Sequence, residues 1–230
     1  MTPRRALALI SAAALSLNTA SALAADTIAV AGRLTDTDFY RLVSCAAPPG
    51  GACTHTPLRW MAERPIRVAL RRIDPAYLGR RKARAEAAVT RALQELNAAD
   101  AGFRLARVRA GEPAEIVVYF LGLDAGATIA GTGLNWVDGA EIGETTTRLA
   151  VEPGGAIIRG ATIVVSTSLE TSAYEAAMLS ALTGAMGLTT AVEADAYEGT
   201  SALAHARRGA TRLGPQDIAA LRMHYAAPAR

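Results

Sequence analysis

The chain has 230 residues, 51% of them hydrophobic, and a formal net charge of +3. That supports one substantial buried core, and nothing in the length requires a second domain. Arg4 and Arg5 contribute two of the positive charges and sit in an apparent leader, so the mature chain is nearly neutral, and no nucleic-acid motif accompanies its arginines.

After Arg4 and Arg5 comes an apolar run from Ala6 to Leu17 and a small-residue site at Ala22-Leu23-Ala24. This is the layout of a secretory signal peptide over residues 1–24, cleaved near Ala24. Ser11, Ser16, Asn18, Thr19 and Ser21 interrupt the run before the roughly 20 apolar residues that a spanning helix needs. No later segment is long and apolar enough to span either, so the expected location is periplasmic or secreted.

Residues 25–64 read as an N-terminal extension before a domain over residues 65–230. Thr35 and Asp38 have the spacing of a capping box that opens a short helix through "FYRLV". The two cysteines, Cys45 and Cys53, flank "AAPPGGA", a turn-forming loop that brings its ends together, and export exposes both to oxidising conditions. A disulfide between them is predicted. A metal pair would need a second pair of ligands, and His55 stands alone beside them.

A strand is predicted at Ile66 to Leu70. From Arg80 to Asn97, Ala85, Ala88, Val89, Ala92, Leu93 and Leu96 recur at helical spacing, which predicts an amphipathic helix lying on a flat surface. The cluster Arg71, Arg72, Arg80, Arg81, Lys82 and Arg84 is read as a solvated helix start rather than a nucleic-acid or envelope-binding patch. "FRLARV" alternates like a half-buried strand, and "EIVVYFL" is a continuous apolar run suited to a strand buried on both faces. The order points to an α/β fold with a mostly parallel, twisted sheet.

Residues 124–155 are rich in Gly and Thr, with an edge hairpin predicted around "GTGLNWV", an extended piece at "TTRLAV", and Trp136 expected to pack in the core. "AIIRGATIVVS" supplies a further strand. Ser172 and Glu175 have the S-x-x-E spacing of a helix start, and Met178, Leu179, Leu182, Ala185 and Met186 give that helix a buried face. Gly187 is expected to end it in the left-handed region. The last predicted helix, "PQDIAALRMHY", starts at Pro215 and turns Ile218, Leu221, Met223 and Tyr225 inward.

This order of elements resembles the zincin metalloproteases, in particular the matrixin-like branch of the metzincins, across most of residues 64–225. Metzincins carry H-E-x-x-H-x-x-G-x-x-H, in which histidines one helical turn apart grip zinc and the glycine permits a sharp exit. Aligning that glycine with Gly187 puts the three ligand positions at Ser180, Gly184 and Thr190 and the general base at Ala181. All four are substituted. The framework Leu182, Ala185, Met186, Gly187 and Leu188 still fits the pattern L-G-H-A-L-G-L around the missing ligands. The final helix resembles the matrixin form L-x-x-D-D-I-x-x-I-x-x-L-Y at Leu213, Asp217, Ile218, Leu221, Met223 and Tyr225, and Leu203 in "GTSAL" falls where the methionine turn would lie. The start of the mature chain, "LTDTDFYRLVSCAAPPGGACTHTPLRW", is similar to that of a secreted bacterial family designated a domain of unknown function, whose members resemble zincins that have lost the histidines.

The resemblance implies a fold and a compartment but little chemistry. No cofactor and no metal ligand is expected. His55, His205 and His224 lie in separate segments and read as surface or structural histidines. The acids Glu193, Asp195 and Glu198 fit no calcium loop and read as a solvated loop, and Glu175 reads as the capping partner of Ser172. The leading expectation is a secreted pseudo-protease without catalysis whose groove binds a peptide, a protein or an envelope component. The alternatives are a hydrolase rebuilt on Ser180, His205 or the Glu193–Glu198 acids, and a purely structural envelope protein.

Overall fold

The computed structural model describes residues 26–226 apart from 62, 206 and 207, so the predicted leader lies outside the described residues. Among the described residues the protein is α/β, with a mostly parallel sheet and four α-helices. In chain order the elements are β1 (Thr27–Ala29), α1 (Asp36–Cys45), β2 (Arg59–Trp60), β3 (Ile66–Ile73), α2 (Arg80–Ala98), β4 (Leu105–Val108) and β5 (Ile116–Phe120), followed by β6 (Thr145–Val151), β7 (Ile157–Val165), α3 (Tyr174–Ala185), β8 (Ala191–Glu193) and α4 (Pro215–Tyr225).

The main sheet runs β4–β3–β5–β7, all parallel, with β6 antiparallel on the outer side of β7. Ile158 is partnered by both Trp60 and Val151, so the short β2 lies on the β5 side of β7 and leaves β6 as an edge strand. The small pair β1–β8 ties the start of the described chain to the segment after α3.

Alternation along β5 divides the interior into two cores. Ile116, Val118 and Phe120 join the large cluster that all four helices build, while Val117 and Tyr119 join a smaller one beneath residues 127–142. Every position of β5 is buried, as its unbroken apolar run predicts. The apolar stripe of α2 is likewise buried at the six predicted positions, Ala85 through Leu96.

Three local expectations are corrected. "GTGLNWV" itself forms turns, closed at its base by a single antiparallel bridge, Thr128 to Glu141, rather than by two strands, and Asp138 gathers it locally by accepting from Thr132 N, the Thr132 hydroxyl and Gly133 N. The Thr132 hydroxyl is the main cause that holds the Asp138 carboxyl below its usual pKa. Trp136 does pack, partly buried, against the smaller core. Second, Ser172 and Glu175 form no cap: a 3-10 turn at Thr171–Ala173 precedes α3, and Glu175 instead accepts from Arg91 of α2 at 2.8 Å. Third, Leu221 is buried as expected but Met223 is exposed, and α4 turns His224 inward in its place.

Thr35 caps α1 as predicted, accepting from Asp38 N at 3.1 Å. Cys45 and Cys53 are joined in a disulfide that closes the Pro-Gly loop onto the end of α1. Chain-entropy arguments give a loop of this size about 2.5 kcal/mol of stabilisation. Replacing both cysteines with alanine is therefore expected to lower the urea unfolding free energy by about 2 kcal/mol, and an unchanged midpoint would deny the bond that role.

Candidate functional site

An open groove of about 730 Å³ lies between the edge strand β6 and helix α3. Thr145 to Leu149 form one wall, and Ser180, Ala181 and Gly184 of α3 face it. Leu188 to Ala191, Leu203 and the exposed His205 complete the lining. The positions assigned by the metzincin resemblance thus come together: Ser180, Ala181, Gly184 and Thr190 all border this groove, and so does Leu203.

Gly187 itself lies behind the groove and shapes it. Its φ of +96° ends α3 and turns the chain toward Thr190, as expected of a glycine there. It also permits a close approach, because a Cβ at this position would overlap the carbonyl of Leu58 and come within 2.9 Å of His224 Nε2. The exit is then locked from two distant elements. The Trp60 indole N–H donates to Ala185 O at 2.8 Å, and the Tyr225 hydroxyl donates to Met186 O at 2.7 Å. These bonds satisfy helix-end carbonyls that would otherwise be unpaired.

The loop carrying Leu203 is fixed by a second polar knot. Asp217, fully buried in the first turn of α4, accepts from the Ser201 hydroxyl at 2.5 Å and from Ala202 N and Gly214 N at 2.8 Å each. Burial pushes its carboxyl pKa upward, and these three donors oppose that shift.

His224 is a structural histidine: it is fully buried, with Nε2 2.7 Å from Leu58 O. Burial lowers its pKa to about 4. The folded state therefore favours the neutral ring, so this contribution is intact above the unfolded value of about 6.5 and is lost as pH falls toward about 4. The expected loss over that window is about 3 kcal/mol, read as a falling urea midpoint that becomes flatter in His224→Gln. An equally steep fall in the variant would assign the effect to other groups.

The remaining candidates do not join the groove. His55 contacts Thr56 O on the disulfide side of the chain, and Glu193 and Asp195 are exposed. Glu198 lies 3.8 Å from Arg208. Among the described residues no three His, Cys, Asp or Glu side chains are grouped closely enough to hold a metal ion. No protein-family model matches the chain, and no curated protein matches it.

Sequence reasoning missed the charged part of the groove. Glu141 and Glu144 stand near one end of β6, and Arg148 lies within it. Arg148 Nε and Thr145 Oγ1 are buried without a hydrogen-bond partner among the described residues. Such orphaned polar atoms are uncommon in native structures and call for an explanation. Only the edge position of β6, which is not visible in composition, marks them as site residues.

Proposed function

We propose that the chain is a secreted, non-catalytic zincin-like domain, a pseudo-protease whose groove receives an extended peptide or protein segment alongside β6. One coincidence carries this reading. The positions that the metzincin resemblance assigns to ligands and base, Ser180, Gly184, Thr190 and Ala181, border the same open groove as β6, whose outer edge pairs with no strand among the described residues. Strand addition needs backbone groups and side-chain pockets but no metal.

Zinc does not fit this set of donors. A catalytic site uses three protein ligands and a base, whereas Ser180 and Thr190 offer neutral hydroxyls, Gly184 and Ala181 offer no side-chain donor, and His205, Glu141 and Glu144 of the lining form no group of three close enough to hold an ion among the described residues. The groove's volume of about 730 Å³ weighs against a structural protein whose cleft is filled by its own side chains. Export is supported by the leader-like N-terminus and by a disulfide of the kind oxidising compartments maintain. Among the described residues no helix is long and apolar enough to cross a membrane.

Gly184 provides the test, because a Cβ there meets nothing within 4 Å. Gly184→Ala is expected to stabilise α3 by about 1 kcal/mol through helix propensity alone and to leave binding intact. Gly184→Trp is expected to fill the groove without unfolding the protein. Selection from a displayed peptide library should enrich extended sequences that bind the wild type and Gly184→Ala but not Gly184→Trp. Enrichment that ignores the tryptophan, or none at all, would sink the groove reading. The rebuilt hydrolase keeps one supporting observation, that Ser180 and His205 line the same groove. It predicts hydrolysis that survives a chelator and disappears in Ser180→Ala.

A further inference from the structure

A second depression, of about 810 Å³, shares no residue with the groove and lies between the end of β3, the edge strand β4 with its following turn, and the start of α2. Its lining holds Arg71, Lys82 and Arg107 and also the acids Glu86 and Glu112, so the positive excess comes largely from the adjoining start of α2. Arg80, Arg81, Lys82 and Arg84 are all exposed at the start of α2, and none has a carboxylate within 4.0 Å among the described residues. That helix has no acid in its first turn, so the cations face the positive end of its dipole without internal relief. Arg71, bonded to Ala110 O, and Arg107, bonded to Glu86 O, extend the basic surface across the depression.

An apolar side chain stands among these cations. Leu78 is 63% exposed and lines the depression. It is displayed on a firm turn, because the preceding Tyr77 is fully buried and its hydroxyl donates to Val165 O at 3.1 Å. With this leucine beside the cations, in place of the solvated helix start expected from sequence, we propose that this face docks the protein on an anionic lipid bilayer, with phosphate headgroups against the arginines and lysine and Leu78 entering the acyl boundary. A single-stranded nucleic acid would also meet the cations, but among the described residues the large exposed hydrophobics are Met61, Leu78 and Met223, which give bases no aromatic platform. A bilayer uses both components, charge and exposed leucine.

The test is flotation of the full chain with vesicles containing phosphatidylglycerol, against vesicles of phosphatidylcholine alone. The expected result is binding to the anionic vesicles only, weakened by salt and reduced about tenfold in Leu78→Ser. Each cation near such a surface strengthens binding about fivefold. Arg80→Glu with Arg81→Glu is therefore expected to abolish binding while raising the melting temperature, since the new acids favour the start of the helix. That rise separates lost docking from lost folding. Equal binding to both vesicle types, binding that survives the double reversal, or tighter binding to a DNA or RNA duplex than to the anionic vesicles would overturn the proposal. None of these outcomes bears on the groove.

Discussion

Gly187→Ala is expected to be the most damaging single-methyl change in the molecule, costing about 4 kcal/mol or more. Alanine in the left-handed region costs about 1 kcal/mol before any contact is counted. The added Cβ would then overlap Leu58 O and crowd His224 Nε2, two groups bonded to each other in the interior. Separating them would leave a buried carbonyl and a buried ring nitrogen unpaired, at about 1–3 kcal/mol for each group. Losses of that size approach the total stability of a domain, so the variant should express poorly or unfold at much lower urea. A melting temperature close to wild type would show that the α3 exit can relax. Gly184→Ala, three residues earlier in the same segment, is expected to shift stability in the opposite direction.

Asp217→Ala is the second large effect expected. It would remove the acceptor of the Ser201 hydroxyl, Ala202 N and Gly214 N together, inside a fully buried knot. The expected cost is about 4 kcal/mol, or roughly 10 °C in melting temperature for a chain of this size. The loss should also reach the groove, since Ser201 Oγ in turn accepts from the N–H of Leu203, a lining residue. Peptides selected on the wild type are therefore expected to bind the surviving folded fraction more weakly. A variant with unchanged stability would show that the carboxylate's burial cost had been as large as its bonds.

Much of this arrangement was legible in the sequence because a long repeat states its own period. The stripe of α2 identifies a buried face over many turns, and the run in β5 has no polar position that could face water. The glycine at 187 did more, because one alignment placed Ser180, Gly184 and Thr190, and these border one groove. Short motifs were less dependable. Ser172 and Glu175 have the spacing of a cap, yet Arg91, distant in sequence, takes the carboxylate, so a tertiary ion pair overrides a local pattern. The turns around "GTGLNWV" escaped because their organiser, Asp138, acts through side-chain bonds that leave no periodic trace. Arg148 escaped because strand order, not composition, puts it beside open space.

The two donors at the end of α3 also constrain when the groove can exist. Trp60 and Tyr225 lie 125 and 39 residues from the carbonyls that they cap. Tyr225 ends the last helix, so its cap cannot form before nearly the whole described chain is made. The exit of α3 stays uncapped until Tyr225 has been synthesised and brought in, however early α2 and the central strands take shape. A nascent chain still being made would therefore present no finished groove, and premature capture of a ligand during synthesis is disfavoured by the order of assembly itself.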